Sequence, residues 1–313
     1  MELLEVMEPV LSPNIAKGDE WLHQIKWDGI RGITYIENGN AHIYTKSGRE
    51  RSAFYPELSG ITRQLNGHQA VVDGELVVFD PHNKPAFNLI MKREHLRNST
   101  RLEHYLKYYP VRYILFDLLY LDGKDLRRYP LQERKQNLVR YLSVSPEVGI
   151  TDDFNDGHAL FELMKSKNFE GIVSKKKNSL YVSGKKHTDW FKTKINKKIL
   201  AVIGGLSLKD HFPNSLLLGY YQENRLIYIG SASIGLTQND LQLLKKTAVD
   251  LAQDQTPFSN LIARKDAIWF RPILTCWVSF LEWTETGGLR HPKIIGFSDL
   301  SPTAAQGKEY ILE

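Results

Sequence analysis

The chain has 313 residues, long enough for two domains with their own cores, and its 42% hydrophobic and 25% charged residues are typical of a globular protein. The single cysteine, Cys276, excludes an internal disulfide framework and a cysteine-rich zinc site. The net charge of +5 indicates a polyanionic partner. No apolar run approaches the roughly 18 residues of a membrane span, and the N-terminus is acidic where a signal peptide is basic. We therefore expect a cytoplasmic protein that does not bind membranes.

Strand-like segments and short helices alternate as far as about residue 197. Segments rich in β-branched and aromatic residues predict strands at 21–25, 32–36, 42–45, 70–79, 113–120, 171–174 and 190–195. Helices are predicted at 56–65, 130–142 and 157–167. Asp156 is the expected N-cap of the last helix, and Val139 should share the apolar face of the middle one. The mixture lacks a regular β-α-β alternation, which predicts an α+β domain of mixed, largely antiparallel sheets with helices.

Beyond residue 197 the pattern is richer in strands. They are predicted at 199–206, 215–221, 226–231, 267–270 and 274–282, and one helix at 237–251 begins with the capping-box sequence Thr237-Gln238-Asn239-Asp240. Several short strands around one helix are typical of a small barrel that binds oligonucleotides. The sequence therefore predicts two domains, 1–197 and 198–313. Cys276 lies in an apolar run and should be a buried hydrophobic residue.

Positive charge is concentrated at the end of the first domain. Residues 165–198 contain eleven lysines but only two acidic residues, Glu170 and Asp189. A run of charge is usually a solvated surface. Here the aromatic residues Tyr181, Trp190 and Phe191 interrupt it, which favours a surface that faces phosphate groups.

Five short segments in the first domain have the chemistry that a phosphate-transfer site needs. They are Lys26-Trp27-Asp28-Gly29, Asp73-Gly74-Glu75, Phe116-Asp117, Glu170-Gly171-Ile172-Val173 and Trp190-Phe191-Lys192-Thr193-Lys194. One such segment carries little weight, but five in this order are hard to attribute to chance.

Lys26 is the predicted nucleophile. An amine that attacks the α-phosphorus of a nucleotide forms a covalent phosphoramide. A lysine is normally protonated, so it needs burial or neighbouring cations before it can attack. Lys192 and Lys194 are two residues apart on a predicted strand and therefore project from the same face, where they can supply that charge.

Glu75 and Glu170 adjoin predicted strands and offer the hard oxygen ligands that Mg²⁺ prefers. Either residue alone would more often be a solvated side chain. Phe116 lies in an apolar strand, so the residues alone allow two interpretations, a stacking surface for a base or an ordinary core residue.

The five segments resemble the nucleotidyl-transferase signature of ATP-dependent DNA ligases, RNA ligases and mRNA-capping enzymes. Segments 215–220, 226–230, 282–284 and 288–292 are similar to those of bacterial non-homologous end-joining ligases of the ligase D type. The resemblance implies a nucleotidyl-transferase (adenylation) domain followed by a small β-barrel domain of the OB fold.

The resemblance also assigns roles around the phosphates. Lys26 would carry AMP, and Lys192 and Lys194 would contact the α-phosphate. Glu170 would bind a metal ion, and Glu75 would contact the ribose or a second metal ion.

At the nucleoside end, the resemblance implies that Phe116 stacks on adenine and that Arg31 contacts ribose and nucleic-acid phosphate. Gln24 occupies the position where many relatives have a glutamate that reads the adenine amino group. Lys46 replaces an arginine of the family, which keeps the charge but loses the bidentate geometry.

The resemblance predicts an ATP-dependent DNA ligase that seals strand breaks through a lysyl-AMP intermediate, in double-strand break repair. Its cofactors would be ATP and Mg²⁺, for which Mn²⁺ can substitute. Its partners would be double-stranded DNA with nicks or ends, a Ku-like end-binding protein and a separate repair polymerase. The expected location is the cytoplasm, in association with the nucleoid.

Two departures concern the second domain. Residues 231–235 replace the V-G-T-G segment of relatives, and the tail at 296–300 lacks the arginine and lysine of the terminal R-x-D-K motif. In the family those basic residues orient pyrophosphate. Either this chain lacks that assistance, or Arg290 and Lys293 supply it.

The sequence argues to different degrees against three alternative functions. An NAD-dependent ligase would need a further domain before Lys26 and usually four zinc-binding cysteines, and the chain has one cysteine. An RNA-capping or RNA-ligase-type nucleotidyl transferase shares the five segments and is disfavoured only by the C-terminal resemblance. A catalytically silent module that binds DNA ends has the missing terminal motif as its only support.

Overall fold

A computed structural model describes the chain at residues 3–261, 264–307 and 310–312. It divides into two compact units, Met1–Lys194 and Ile195–Glu313. Within the described ranges, no helix has both the length and the apolar character needed to cross a membrane.

The first unit contains strands from two sheets. In chain order they are β1 (Glu8–Leu11), β2 (Trp21–Ile25), β3 (Ile30–Glu37), β4 (Asn40–Thr45), β5 (Ala70–Val78), β6 (Val111–Leu121), β7 (Lys124–Asp125), β8 (Val148–Ile150), β9 (Gly171–Lys176) and β10 (Lys186–Lys194). One sheet has the order β1-β10-β9-β2, and the other has the order β4-β3-β5-β6-β7, with β8 beside β6. The pairs β1–β10 and β6–β8 are parallel and the others antiparallel. The predicted mixed, largely antiparallel architecture is therefore confirmed.

The two faces of the β3-β5-β6 sheet bury different clusters, because neighbouring residues of a strand point to opposite faces. Val72 packs with Leu76 and the buried residues of the surrounding helices. Val71 lies in a separate cluster with Met7 and Trp190, which belong to the region of the other sheet. The first unit thus holds its two sheets against each other, and the five segments singled out in the sequence lie on or directly beside their strands.

The helices of the first unit are α1 (Ile61–Gln64), α2 (Phe87–Glu94), α3 (Leu102–Tyr108), α4 (Leu131–Tyr141) and α5 (Gly157–Ser166). Asp156 caps α5 by accepting a hydrogen bond from the Ala159 amide at 2.9 Å, as predicted. Asn38 and Gly39 both adopt positive φ in the hairpin turn between β3 and β4. The sequence did not predict α2, α3 or β1.

Two helix predictions in this unit need correction. Residues 56–65 form a short 3₁₀ segment, Pro56–Leu58, and the single turn of α1 rather than one helix. Both pieces bury apolar side chains, so tertiary packing sets their course. On α4, Val139 is 62% exposed because Arg134 and Lys135 occupy the buried face.

In its described residues, the second unit forms one larger sheet. Its strands are β11 (Lys197–Lys209), β12 (Phe212–Gln222), β13 (Arg225–Ala232), β14 (Ala252–Gln253), β15 (Ala267–Phe280), β16 (Lys293–Ser298) and β17 (Ile311–Leu312), with one helix, α6 (Gln238–Leu251), between β13 and β14. The order is β13-β12-β11-β15-β14, with β16 beside β15 and β17 beside β11. Thr237 and Asp240 form the predicted capping box of α6. Cys276 is buried as predicted.

The two strands predicted at 267–270 and 274–282 are one strand, β15. Ile203 of β11 pairs with Leu274, whereas Gly205 pairs with Trp269, so several residues of β15 lie outside the ladder at this point. The apolar pattern breaks there because the strand bulges.

Candidate active site

Lys26 directly follows β2 and contacts a carboxylate from the neighbouring strand region. Its backbone amide donates to the carbonyl of Gly171 at 3.0 Å. Its Nζ lies 2.5 Å from Oε2 of Glu170, and Nζ of Lys194 lies 2.8 Å from Oε1 of the same residue. Although burial opposes ionisation of Glu170, Lys26 and Lys194 lower the pKa of this carboxyl. One carboxylate therefore links the two predicted catalytic amines.

Two glycines allow the backbone to bring these groups together. Gly171 has φ of +141°, and a Cβ there would lie 2.1 Å from the carbonyl oxygen of Thr193 on β10. A Cβ at Gly29 would lie 2.3 Å from the carbonyl oxygen of Leu76. Both distances exclude a side chain. The glycines of the first and fourth segments are thus explained by close approach of backbone.

One pocket collects most of the predicted site residues. Seven of the nine line it: Gln24, Lys26, Arg31, Lys46, Glu75, Phe116 and Lys192. The other two, Glu170 and Lys194, are joined to Lys26 by the ion pairs above. The structure therefore brings together residues that are up to 170 positions apart.

Glu75 lies on β5 in the wall of the pocket. Burial raises the pKa of its carboxyl to about 8, although Lys26 and Arg31 act in the opposite direction, and Glu170 raises it further. Among the described residues, no group of three or more His, Cys, Asp or Glu side chains is arranged to hold a metal ion. Glu75 and Glu170 therefore offer two carboxyl groups, of which Glu75 would release its proton when a cation binds. Two such ligands suit Mg²⁺, because that ion usually takes most of its ligands from phosphates and water.

Arg31 is held in a network behind the pocket. Its Nε donates to Oδ1 of Asp73 and its Nη2 donates to Oδ2 of the same carboxylate, both at 2.6 Å. Nη2 also donates to the carbonyl of Met7 at 3.1 Å. The Tyr181 hydroxyl donates to Asp73 at 2.7 Å. Although burial opposes its charge, Asp73 raises the pKa of Arg31. The sequence analysis did not identify Asp73 and Tyr181 as partners of this arginine.

Phe116 forms part of the pocket wall and is 9% exposed. The Arg31 guanidinium lies 4.7 Å from its ring centroid, and Nζ of Lys175 lies 4.2 Å from it. These cations hold the ring in place by cation–π contact. Phe116 is therefore both largely buried and accessible from the pocket, so its position is compatible with either interpretation that the sequence left open.

Lys175 is a pocket residue that the sequence analysis missed. Its Nζ lies 4.2 Å from the rings of both Phe116 and Trp190, and burial lowers the pKa of its ammonium group to about 7. Val173, two residues earlier on β9, also lines the pocket. Residues two apart on a strand project from the same face, so the alternation along the strand predicted after Glu170 was the signal that could have identified Lys175.

A second buried ion pair lies next to Phe116 in the chain. Arg134 donates from Nε and Nη2 to the carboxylate of Asp117 at 2.7 and 2.9 Å, and neither side chain is exposed. Arg134 also donates to the carbonyls of Tyr129 and Ser179. This pair anchors α4 to β6 and thereby holds the strand that carries Phe116.

Lys46 and Lys192 complete the basic part of the pocket. Nζ of Lys46 lies 2.7 Å from Glu8. Burial lowers the pKa of Lys192, and the charges of Lys26 and Lys194 act in the same direction. In the second unit, Arg290 forms an ion pair with Glu282 at 2.6 Å, and Lys293 is exposed on β16.

Comparison with known proteins identifies the family. A family model described as the ATP dependent DNA ligase domain matches residues 7–194, and one described as the ATP dependent DNA ligase C terminal region matches residues 209–299. The chain belongs to the ATP-dependent DNA ligase family. The expected adenylation and OB-fold architecture is confirmed, and we use these domain names for the first and second units below.

Similar proteins include ligase D proteins of bacteria. The multifunctional non-homologous end joining protein LigD of Mycolicibacterium smegmatis is 31% identical over 284 residues, which are 88% of this chain and 36% of the relative. LigD of Pseudomonas aeruginosa is 29% identical over 90% of this chain and 34% of its own length. The chain thus spans about a third of the length of these two relatives.

Solved structures agree with this assignment. Mycobacterial DNA ligase D complexed with ATP and MES is 29% identical, with a TM-score of 0.56, over 96% of this chain and 97% of that one. The ligase domain of LigD from M. tuberculosis is 27% identical, also with a TM-score of 0.56, over 97% of this chain and 98% of that one. The match therefore extends through both domains.

Proposed function

We propose that this chain is an ATP-dependent DNA ligase in which Lys26 forms the covalent intermediate with AMP. The observation that carries the proposal is the arrangement around Glu170. Its two carboxylate oxygens contact the amines of Lys26 and Lys194, beside a pocket that also holds Glu75, Phe116 and Lys192. The solved relative named as a complex with ATP supports ATP as the nucleotide.

In the first step, Nζ of Lys26 attacks the α-phosphorus of ATP. The new N–P bond replaces the bond from the α-phosphorus to the bridging oxygen, and pyrophosphate leaves with that oxygen. Lys26 must first lose a proton, which passes to the carboxylate of Glu170 in contact with its Nζ and from there to solvent. Lys192 and Lys194 place positive charge near the reacting phosphate, where it stabilises the transition state.

Glu75 and Glu170 are the residues that would hold Mg²⁺, which when bound neutralises phosphate charge; Mn²⁺ is an expected substitute. Phe116 would stack on adenine, Arg31 would contact the ribose, and Lys46 would contact phosphate. These roles place the base at the aromatic end of the pocket and the triphosphate at the Lys26 end.

In the second step, AMP moves from Lys26 to a 5′-phosphate at a DNA break, and in the third the adjacent 3′-hydroxyl displaces AMP and closes the strand. Both are in-line displacements, in which positioning and charge neutralisation supply most of the catalysis. The family match and the eleven lysines between residues 165 and 198 support DNA as the acceptor.

The likeness to proteins named for non-homologous end joining supports a role in double-strand break repair. We extend the proposal to a Ku-like end-binding protein and a separate repair polymerase as partners, and to a cytoplasmic, nucleoid-associated location. A Ku protein should increase the rate at which this chain joins DNA ends, and an unchanged rate would contradict that partnership.

The central test is transfer of label from α-³²P-ATP in the presence of Mg²⁺, followed by denaturing electrophoresis. Wild-type protein should become labelled, Lys26→Ala should not, and Lys17→Ala, an exposed lysine of the same domain, should behave as wild type. The protein is first treated with pyrophosphate to remove any AMP acquired during expression.

Two results would overturn the proposal. Absence of label after the pyrophosphate treatment would favour the silent DNA-end-binding module. Preferential labelling by α-³²P-GTP would favour a capping-type enzyme.

A further inference from the structure

Gln24 lies at the base end of the pocket and has a fixed side-chain amide. It is on β2, it is 2% exposed, and it lines the pocket together with Phe116. Its Nε2 donates a hydrogen bond to Oδ1 of Asp153 at 2.6 Å. The two residues are 129 positions apart, so only the fold places them together.

The carboxylate of Asp153 determines which way the amide points. An ionised carboxylate can only accept hydrogen bonds, so the NH₂ group of Gln24 must face Asp153 and its carbonyl oxygen must face elsewhere. No residue in the described part of the chain donates a hydrogen bond to that carbonyl oxygen. Gln24 therefore presents an unused acceptor in the pocket.

Asp153 is itself held from two sides. Nζ of Lys135 lies 3.0 Å from the same Oδ1 and donates to the carbonyl of Thr151 at 2.9 Å. The next residue, Phe154, exchanges two backbone hydrogen bonds with His23, at 2.8 and 2.9 Å. Since His23 precedes Gln24 on β2, the backbone register brings Asp153 beside the amide.

We infer that Asp153, held by Lys135, is a positioning residue that gives this site its preference among purine nucleotides. It acts through Gln24. The orientation that it imposes offers an acceptor to the 6-amino group of adenine and repels the 6-oxo group of hypoxanthine or guanine. This inference rests on the proposed function, because it assumes that the base of the nucleotide lies against Phe116 and Gln24.

The inference also accounts for the glutamine. A glutamate at this position presents acceptors in either orientation of its carboxylate, whereas a glutamine presents an acceptor in only one of its two orientations. A chain with Gln24 therefore needs a partner that excludes the other orientation. Asp153 has the required chemistry and distance.

The test compares ATP with ITP, which carries a 6-oxo group in place of the 6-amino group. The rate of Lys26 labelling per unit nucleotide concentration is measured for each, at one pH, with α-³²P-labelled nucleotides. The variant is Asp153→Asn, whose amide accepts or donates and so permits Gln24 to rotate. The matched control is Asp152→Asn, the same exchange at an exposed neighbouring position.

The ATP-to-ITP ratio should fall about tenfold in Asp153→Asn, since one hydrogen bond changes partner, and should stay unchanged in Asp152→Asn. In a Gln24→Leu background, which has no side-chain amide to orient, Asp153→Asn should no longer change the ratio. A purely structural role for Asp153 would lower both rates together and leave the ratio as it was, and that result would overturn the inference.

The outcome also separates this inference from the proposed function. If neither ATP nor ITP labels Lys26 in the wild-type protein, the proposed function fails. If it labels with ATP but the ratio is the same in Asp153→Asn and wild type, only the role of Asp153 fails. Asp153→Ser, which cannot form the same ion pair with Lys135, gives a second measurement should the asparagine variant not fold.

Discussion

The two domains bury different kinds of side chain. In the described part of the adenylation domain the interior contains many charged residues, namely Arg51, Asp73, Arg93, Glu94, Asp117, Arg134, Lys135 and Lys175. In the described part of the OB-fold domain, the buried polar residues are Lys197, Ser207, Ser215 and Thr275. Its main cluster is built from aliphatic and aromatic side chains, such as Ile203, Cys276 and Phe280.

The difference follows from the chemistry proposed for the adenylation domain. A site that handles a triphosphate needs fixed charges in surroundings from which water is partly excluded, because there the charges act more strongly. Burying a charge is costly unless a partner compensates it. Accordingly, Asp73 is paired with Arg31, and Asp117 with Arg134. The OB-fold domain gains its stability from apolar burial and carries little of this cost.

The largest effect should come from breaking a buried pair. Asp117→Asn keeps the shape of the side chain but leaves Arg134 without its counter-ion, and should lower the free energy of unfolding by about 3–5 kcal/mol. The OB-fold comparison is Thr275→Val, which removes a hydroxyl that donates to the Leu300 carbonyl at 2.7 Å. That change should cost only about 1 kcal/mol.

Urea denaturation of each variant measures both values. Equal losses in the two domains would show that the buried charges of the adenylation domain carry no special cost, and the contrast drawn above would be wrong.

An intermediate effect should appear as pH dependence at Lys175. Burial lowers the pKa of Lys175 to about 7 in the folded protein. Between this pKa and the ordinary pKa of a lysine side chain, the unfolded chain therefore binds more protons than the folded protein. Stability must then rise with pH in this range. Relative to Lys175→Met, wild-type protein should gain roughly 2 kcal/mol between pH 7 and pH 9.

The measurement is the unfolding free energy of both proteins at several pH values, with the exposed Lys17→Met as the control. A difference between wild type and Lys175→Met that does not change with pH would mean that Lys175 keeps its proton in the folded state, stabilised by the rings of Phe116 and Trp190.

The smallest loss of stability should come from removing a helix N-cap, and it should be the same in both domains. Asp156 caps α5 in the adenylation domain, and Thr237 caps α6 in the OB-fold domain. Replacement of either by alanine should cost about 1 kcal/mol, because the same backbone amides lose their acceptor. Thermal unfolding of the two variants checks this, and clearly unequal losses would show that even local structure differs in energy between the domains.

Much of this protein is encoded locally in its sequence. The capping box at Thr237, the turn at Asn38-Gly39 and most strands were predicted because each depends on residues a few positions apart. The same holds for Lys192 and Lys194, which strand alternation places on one face. The family signature also identified Lys26 and Glu170 before their contact was known, since its residue types and order are read directly from the chain.

Other features were decided only by the tertiary structure. The pairs Arg31–Asp73 and Gln24–Asp153 join residues 42 and 129 positions apart. Lys175 was indistinguishable from its neighbours in a run of lysines until the fold buried it between two aromatic rings. Local patterns report which face of a strand or helix a residue occupies. They carry no information about which distant segment will pack against that face, and that packing determines the partners and burial of every charged group in this site.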